Sequence, residues 1–403
     1  MLTEKLYETD SYLREFTATV LKCEPLTDAQ MKRSGAAYGV VLDRTAFFPE
    51  GGGQFADTGN LHNAAVLDVQ EIGGEIVHFT DVPLTVQSEA VGTLNWKQRL
   101  RRMQNHTGEH LLSGIVHAQF GWDNVGFHLG EDEVTVDFSG PLSPEELAMA
   151  EYLANRAVAE NAPVTACYPS PEVLAALDYR SKLDLTENVR IVTIEGWDVC
   201  ACCAPHVSST GAVGCVKILG SESWKGGVRL RMLCGLDAVD DYSRRMENTA
   251  RISALLSVPQ LKTADAVERL LASQQADREE IGRLKKLLVE AKTAALRPTD
   301  GDLLLFENDL DPVSLRNLVN AGMQLAAGVC AAFSGSDESG YRYIIGDIHG
   351  NVTEWVKAFN AALGGRGGGK GEMVQGSVQA TREQICAYFA DAGSPRWQYS
   401  QVN

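Results

Sequence analysis

The chain has 403 residues, of which 44% are hydrophobic and 22% are charged. This length and apolar content can bury a sizeable core and predict two or three domains. The formal net charge of -17 argues against wide nonspecific coating of nucleic acid, although a local basic groove is compatible with it. Nine irregularly spaced cysteines do not read as a disulfide framework. Without a signal-peptide core or a long apolar run, we expect a soluble cytoplasmic protein with no membrane contact.

Residues 1–90 predict a small β-barrel, because alternating apolar patterns separated by Pro or Gly turns are typical of short strands. The predicted strands are 16–23, 38–42, 64–69 and 76–79. Within this region, residues 47–54 contain three consecutive glycines followed by Gln54. Such a loop can approach a ligand closely through its backbone, and a plain hairpin loop is the alternative.

Residues 91–237 predict a second, α+β unit. It opens with a basic cluster at 96–102, followed by a helix that carries two histidines. A further helix is expected at 144–161, since Ser143 can cap it and Pro144 suits its first position. The strands expected here are 134–138, 189–194, 213–219 and 228–234.

Residues 238–297 predict a helical linker, which could be a hairpin, a coiled-coil-like segment or a dimer strut. Its apolar seam has 3-4-3 spacing and consists of Ile281, Leu284, Leu288 and Ala291. Residues 298–393 alternate between strand and helix patterns, which predicts a small α/β module. The stretch 364–370 predicts a glycine-rich loop whose backbone N–H groups could hold phosphate, or a plain surface loop. Residues 394–403 are expected to be a loose tail. Taken together, the predicted barrel, the second unit, the helical linker and the C-terminal module assign the whole chain to the α+β class.

Two pairs of residues have the spacing of metal ligands. His106 and His110 lie four apart on a predicted helix, so both imidazoles face the same side. Cys202 and His206 are also four apart, and three nitrogens with one sulfur suit tetrahedral zinc, Zn2+. Cys200 and Cys203 are further thiols, and either could replace Cys202.

Glu109 introduces a competing interpretation. Residues 106–110 also match the His-x-x-Glu-His pattern of inverted zinc peptidases, in which the glutamate is the general base. A peptidase would need a third ligand from a carboxylate further downstream. It would also leave the Cys202 and His206 pair and the glycine–Gln54 loop without a role.

The order of these motifs resembles the editing half of alanyl-tRNA synthetase. The resemblance rests on 47–59, on Asn105-His106-Thr107-x-x-His110, and on Cys202-x-x-x-His206 with the following 207–214. Residues 364–376 resemble the DHH-associated module that ends the synthetase. With no aminoacylation domain before these motifs, the chain resembles the long form of the AlaX-type alanyl-tRNA editing proteins.

This resemblance implies a zinc-dependent hydrolase of mischarged tRNA(Ala), chiefly seryl- and perhaps glycyl-tRNA(Ala). It also implies that His106, His110, Cys202 and His206 are the zinc ligands. The family usually has Cys-Gly-Gly-Thr-His where this chain has Cys-Cys-Ala-Pro-His, which changes the geometry around Pro205. A tRNA-binding protein with a purely structural zinc is the remaining alternative.

Further site residues are expected around this centre and in the C-terminal module. Glu109 and Thr107 are candidate catalytic residues, with Glu109 as general base or water-positioning group. Candidate substrate contacts are Gly52, Gly53, Gln54, His128, Arg102, Arg366 and Lys370. The arginines and lysine would contact the RNA backbone, since local positive charge must supply that attraction in an acidic chain. The C-terminal half could also form a homodimer.

Overall fold

The computed structural model describes residues 3–130, 133–181, 188–350, 352–391 and 397–399. The chain divides into two compact units, Met1–Arg251 and Ile252–Asn403. Mixed helices and sheets in both units confirm the predicted α+β class. The finer boundaries at residues 90, 237 and 297 stay predictions. None of the described helices is both long and apolar enough to cross a membrane.

The first unit begins with a closed barrel. Its region contains β1 Glu4–Lys5, α1 Leu6–Thr9, β2 Glu15–Pro25, α2 Asp28–Ser34, β3 Tyr38–Leu42, β4 Arg44–Thr45, β5 Gly59–Leu61, β6 Ala64–Ile72, β7 Glu75–Thr80 and β8 Glu89–Leu94. The barrel order is β2-β3-β7-β6-β5-β8, with β8 pairing back to β2. The sequence patterns give four of these six strands and lack β5 and β8. With only three residues, β5 is too short to show an alternating pattern.

A long helix and two sheets complete the first unit. They comprise α3 Trp96–Phe120, β9 Asn124–Leu129, β10 Val134–Phe138, α4 Pro144–Glu160, β11 Val164–Cys167, α5 Pro171–Ala176, β12 Ile191–Ile194, β13 Asp198–Ala201, β14 Val216–Trp224, β15 Gly227–Cys234 and α6 Gly235–Leu256. The sheets have the orders β14-β15-β10-β9 and β11-β12-β13. Apolar residues of α3, including Met103 and Leu112, pack with Val136 and Leu230 in one buried core. One apolar face of α3 therefore packs against the sheet that contains β10 and β15.

Two details of this region differ from the sequence prediction. The side chain of Asn95 caps α3, accepting from Gln98 N at 3.4 Å, so the basic cluster at 96–102 lies inside the helix rather than before it. The strand expected to start at 213 starts later, because Thr210–Val213 forms a 3-10 turn and β14 begins at Val216.

A buried ion pair joins the barrel to α3. Arg99 and Asp57 are 0% and 1% exposed, and Arg99 Nε donates to Asp57 Oδ2 at 2.9 Å. The same guanidinium also donates to the carbonyls of Ser11 and Ala46. Asp57 Oδ2 accepts from Phe48 N at 2.7 Å, which closes the glycine loop on itself. The loop and the helix therefore share one buried carboxylate.

The second unit contains one six-stranded sheet with helices. Its elements are α7 Thr263–Ala295, β16 Asp302–Glu307, α8 Pro312–Gly322, β17 Cys330–Ser336, β18 Gly340–Gly346, α9 Thr353–Leu363, β19 Arg366–Lys370, β20 Met373–Val378, α10 Arg382–Asp391 and β21 Trp397–Tyr399. The strand order is β19-β20-β18-β17-β16-β21. On α7 the side chains of Ile281, Leu284 and Leu288 are about half exposed, at 53%, 50% and 47%. The predicted apolar seam therefore lies on α7, with its side chains partly exposed to solvent.

The glycine-rich stretch is a strand rather than the expected loop. Residues 366–370 form β19, which pairs antiparallel with β20 from Arg366 opposite Ser377 to Lys370 opposite Met373. A run of glycines predicts a loop by composition, but glycine also adopts extended backbone when a neighbouring strand supplies hydrogen bonds. Pairing with β20 uses the backbone groups on one side of this stretch, so it is an edge strand and not the expected loop.

The end of the chain also departs from expectation. Trp397–Tyr399 pairs parallel with β16, so the prediction of a loose tail is wrong for these three residues. The other residues of 394–403 lie outside the described residues.

His78 is buried inside the barrel as a neutral imidazole. Its Nδ1 donates to Val40 O at 3.0 Å, so its Nε2 accepts from Thr45 Oγ1 at 2.8 Å. Burial lowers the pKa of His78 from 6.5 to about 4, despite the backbone hydrogen bond. Protonation would place an uncompensated charge at a fully buried position.

We expect Asp57→Ala to lower the free energy of unfolding of the first unit by about 3–5 kcal/mol, because it leaves the buried guanidinium of Arg99 without its counter-charge. Urea denaturation followed by tryptophan fluorescence measures this change. Glu75→Ala is the matched control. It removes an exposed pair with Lys22, for which we expect about 1 kcal/mol or less. Equal losses in the two variants would contradict a special role for the buried pair.

Acidification should destabilise the barrel through His78. Because its folded pKa lies below its unfolded value, the stability of the neutral form is complete above pH 6.5 and is lost as the pH falls towards about 4. We therefore expect His78→Gln to flatten this part of the pH profile of unfolding free energy. His62→Asn, an exposed position in the same barrel, is the control and should keep the wild-type profile.

Candidate metal centre

Four side chains from two distant segments meet at one point. His106 and His110 lie one turn apart on α3, and Cys202 and His206 lie in the segment that follows β13. Their ligand atoms all lie within 4.8 Å of one another. The three histidines are 2–5% exposed, so the group is enclosed by protein. This is the set that the sequence spacing predicts, and it could hold a metal ion.

The distances in this group fit tetrahedral coordination. Cys202 Sγ lies 3.6 Å from His106 Nε2 and 3.3 Å from His206 Nε2. A tetrahedral ion with metal–nitrogen and metal–sulfur distances of about 2.05 and 2.3 Å separates its nitrogen and sulfur ligands by about 3.6 Å. The two sulfur–nitrogen separations are therefore close to those of a tetrahedral site.

Each histidine has a hydrogen-bond partner at its other nitrogen. Gln54 Oε1 lies 3.0 Å from His106 Nδ1, Asp198 Oδ2 lies 3.1 Å from His110 Nδ1, and Thr107 Oγ1 lies 3.0 Å from His206 Nδ1. If each Nδ1 is the protonated nitrogen and donates to these oxygens, each Nε2 keeps a lone pair for the ion. Partners of this kind fix the tautomer and the ring orientation of metal ligands.

Asp198 is itself held in place by a partly buried arginine. Arg180 Nε and Nη2 donate to the two oxygens of Asp198 at 2.7 and 2.8 Å. Burial disfavours the carboxylate, but hydrogen bonds from His110 and Arg180 hold the pKa of Asp198 below its usual value. Sequence reasoning missed both residues as parts of the site. Asp198 could have been found from its place just before the cysteines, whereas Arg180 has no local signal.

The protonation of the donors also suits a metal ion. Although burial opposes ionisation, His106 and a hydrogen bond from His110 hold the pKa of Cys202 well below its usual value, which favours the thiolate that binds metals. Burial lowers the pKa of His206 to about 3, despite the nearby Cys202, so this imidazole is neutral. Burial lowers the pKa of His110, but Cys200 and Asp198 raise it more, so its pKa lies well above the usual value. A metal ion that binds His110 must therefore displace a proton from its imidazole.

The other two thiols take different positions. Cys200 groups with His110 and Asp198 rather than with the four donors. Cys203 lies beside the glycine loop, where a Cβ on Gly52 would be 3.4 Å from its Sγ. Cys202 is thus the thiol that joins the three histidines.

The glycine loop covers the centre. Gln54, 1% exposed, reaches His106 from this loop. Gly53 has a φ of +81°, and an added Cβ would lie 2.6 Å from the ring of Phe127, so a side chain does not fit. The Phe127 ring packs on His106 with centroids 4.7 Å apart. The loop and Phe127 therefore form one wall beside the donors.

The two candidate catalytic residues are both buried. Glu109 is 3% exposed, and its Oε1 accepts from Ser113 Oγ at 2.5 Å and from Asn124 Nδ2. Glu109 is therefore held by internal partners and is not a solvated residue of the helix surface. Thr107 is fully buried and accepts from Val207 N at 3.2 Å. Catalytic roles for Glu109 and Thr107 stay predictions.

The remaining predicted contacts are scattered. Arg102 is 6% exposed and donates to the carbonyl of Ala56, so its guanidinium has an internal partner. His128 is exposed on β9, with its ring 5.6 Å from that of Phe55. Arg366 and Lys370 are exposed on β19 in the other unit.

Comparisons with known proteins identify the family of the chain. Residues 189–231 match the threonyl and alanyl tRNA synthetase second additional domain, and residues 3–97 match the class II (A) tRNA synthetases. The mouse alanyl-tRNA editing protein Aarsd1 is 32% identical over 280 residues, which cover 67% of this chain and 68% of the mouse protein. The chain belongs to the alanyl-tRNA editing protein family. The rat family member is 28% identical over 96% of this chain and 97% of its own length.

The chain is also similar to part of a longer protein. The alanine–tRNA ligase of Pyrococcus abyssi is 32% identical over 401 residues, or 94% of this chain. The chain spans only 42% of the length of that ligase.

We expect Asp198→Asn to weaken zinc binding by about 10–100-fold, because the amide is a weaker acceptor for His110 Nδ1. Competition with a chromogenic chelator measures the affinity. Asp123→Asn is the matched control, since Asp123 pairs with the exposed His117 at 2.9 Å, away from the four donors. Equal affinity in wild type and Asp198→Asn would contradict an orienting role for this carboxylate.

Proposed function

We propose that the protein is a trans-editing hydrolase that deacylates mischarged tRNA(Ala), chiefly seryl-tRNA(Ala), with glycyl-tRNA(Ala) as a second substrate. The observation that carries the proposal is the group of four donors beneath the glycine loop, in a chain of the alanyl-tRNA editing family. The relatives' names supply the tRNA, and the buried donors supply a site suited to hydrolysis of an ester bond.

Zinc is the ion that this site would hold, on His106, His110, Cys202 and His206. Three imidazoles and one thiolate in a tetrahedral group are a donor set typical of zinc. When bound, zinc would supply electrostatic polarisation and a fixed shape to the pocket. Gln54, Thr107 and Asp198 would then orient the ligands from outside.

Gln54 has a second capacity that suits substrate binding. Its Oε1 accepts from His106, but its Nε2 is buried and has no hydrogen-bond partner among the described residues. A buried donor without a partner is costly, so such a group is well placed to donate to an oxygen of a bound substrate. We propose that it donates to an oxygen of the aminoacyl group or the terminal ribose.

The same argument bears on the choice between amino acids. A site with buried polar groups rejects an analogue that lacks the matching hydroxyl, because those groups are then left unpaired. Donation from Gln54 Nε2 to the serine hydroxyl would give a preference for the seryl over the alanyl ester. The wall formed by the glycine loop and Phe127 would enclose the aminoacyl end, and His128 beside Phe55 would contact the terminal nucleoside.

The rival functions have less support. A zinc peptidase of the His-x-x-Glu-His type needs a downstream carboxylate ligand, whereas Cys202 and His206 complete this group. Its general base would be Glu109, whose carboxylate accepts from Ser113 and Asn124. A tRNA-binding protein with a structural zinc is distinguished only by an activity measurement. Contact of RNA with Arg102, Arg366 and Lys370, and a homodimer through the C-terminal half, stay predictions.

Deacylation of labelled seryl-tRNA(Ala) and alanyl-tRNA(Ala) tests the proposal. We expect the zinc-loaded protein to release serine much faster than alanine, and His110→Ala or a strong chelator to abolish release. Absence of serine release by the zinc-loaded protein would contradict editing and leave the structural-zinc alternative. Hydrolysis of a casein substrate that depends on Glu109 would favour the peptidase.

Gln54→Met tests the role of the amide, because methionine keeps the length and loses the donor. By analogy with the loss of a single transition-state donor, we expect seryl-tRNA(Ala) release to fall by about 10²-fold. Gln70→Met is the matched control, since Gln70 lies in the same barrel and pairs with the exposed Glu50. A zinc titration of both variants separates loss of the ion from loss of the donor.

A further inference from the structure

Strand β9 carries a β-bulge near the candidate metal centre. Asp137 on β10 pairs with Gly126, whereas the next residue of β10, Phe138, pairs with Asn124. At this point β9 therefore has one more residue than β10, and that residue is Val125, which is 62% exposed. Bulges of this kind change the direction in which neighbouring side chains point, and they are frequent beside functional sites.

The bulge lets two side chains of β9 point at the same helix. Asn124 and Phe127 are three positions apart, so in a regular strand they would face opposite sides of the sheet. With the extra residue, Asn124 lies opposite Phe138 and Phe127 lies opposite Val136. Phe138 and Val136 are two positions apart and belong to the core that packs on α3. Asn124 and Phe127 therefore both face α3.

Asn124 is held on α3 by two buried side chains. It is 8% exposed, and its Nδ2 donates to Ser113 Oγ at 3.0 Å and to Glu109 Oε1. Ser113 Oγ donates to the same carboxylate oxygen at 2.5 Å. The side-chain oxygen of Asn124 accepts from Gly126 N at 3.0 Å, across the bulge. One amide group therefore joins the carboxylate on α3 to the backbone of the bulge.

The residues that follow the bulge form the wall beside the four donors. The centroids of the Phe127 and His106 rings are 4.7 Å apart. Leu129 N donates to Gly53 O at 3.3 Å, so the far end of β9 is attached to the glycine loop. A Cβ on Gly53 would lie 2.6 Å from the Phe127 ring, so the ring and the loop are in close contact. A displacement of Phe127 would therefore change the shape of the space beside His106.

We propose that Asn124 is a positioning residue that determines the specificity of the editing site, and that Glu109 acts through Asn124 rather than on the reacting atoms. By holding the bulge, Asn124 keeps Phe127 against His106. The wall formed with the glycine loop then limits the size of the aminoacyl group, because a larger side chain overlaps the ring. This inference rests on the proposed editing function. It gives Glu109 a role different from that of the general base expected from the sequence.

Nuclear magnetic resonance of the full-length, zinc-loaded protein with isotope-labelled histidine tests the position of Phe127. An aromatic ring that packs on His106 shifts the resonances of the protons on that imidazole, and Phe127→Leu gives their position without the ring. We expect Asn124→Ala to move the resonances towards this position. Ser113→Ala, a milder change that keeps the fold if Asn124→Ala does not, should move them part of the way.

Asn155→Ala is the matched control for this measurement. Asn155 lies on α4 in the same unit, where its side chain donates to Val216 O at 2.7 Å and accepts from Val216 N at 3.0 Å. The substitution therefore removes the same amide and a similar number of hydrogen bonds as Asn124→Ala. We expect it to leave the His106 resonances unchanged, because Asn155 does not contact β9 or the four donors.

Exchange of the two partners separates positioning from proton transfer. Glu109→Gln and Asn124→Asp each break the amide–carboxylate pair, so each should lower kcat for seryl-tRNA(Ala) by about tenfold. Each should also raise release of threonyl-tRNA(Ala) relative to seryl-tRNA(Ala) by about tenfold, because the wall is loosened. The double variant Glu109→Gln/Asn124→Asp restores the pair with the roles exchanged and keeps an acceptor for Gly126 N. Both values should then return to within about threefold of wild type.

Two results would overturn this inference and leave the editing function in place. One is serine release by the wild-type protein with unchanged His106 resonances in both Asn124→Ala and Ser113→Ala. The other is a double variant that remains as slow as Glu109→Gln, which is the behaviour of a general base. Absence of serine release by the wild-type protein would instead reject the editing function, and with it the role of Asn124 in specificity.

Discussion

The buried pair of Asp57 and Arg99 is the constraint on which the first unit depends. A single carboxylate oxygen accepts from Arg99 on α3 and from the backbone of Phe48 at the start of the glycine loop. The loop is therefore closed and attached to the helix by the same atom. Because desolvated charges are stable only with good geometry, the pair fixes the register of the loop against the helix.

This position of the loop on the helix explains how residues about fifty positions apart come into contact at the metal centre. Gln54 reaches His106 only because the loop is held over α3, and Gly53 allows that approach because it has no side chain to collide with Phe127. On the opposite side, β13 brings Asp198 to His110 and is followed by Cys202 and His206. A barrel, a helix and a small sheet thus each supply one part of the centre.

The sequence predicted the parts of this arrangement that have local signals. Spacing of four residues singled out His106 with His110 and Cys202 with His206, and for the first pair that spacing reflects the period of an α-helix. Asp57, Arg99 and Arg180 were not recognised as structural partners, since a buried ion pair looks in sequence like any two charges. The basic cluster was read as surface for the same reason, although Arg99 is fully buried. Composition likewise misassigned β19, because only pairing with β20 turns a glycine run into a strand.

The contacts between α3 and the start of α6 determine where the chain can be truncated. Asn105, next to the first histidine, accepts from Cys234 N at 2.8 Å and donates to Asp237 Oδ2 at 3.0 Å. Arg101 also pairs with Asp237 at 2.6 Å. The first turn of α6 is thereby bonded to the helix that carries the donors. A fragment that ends before Asp237 would remove the bonds that Asn105 and Arg101 make to this carboxylate, close to His106. A minimal active fragment should therefore extend beyond the start of α6.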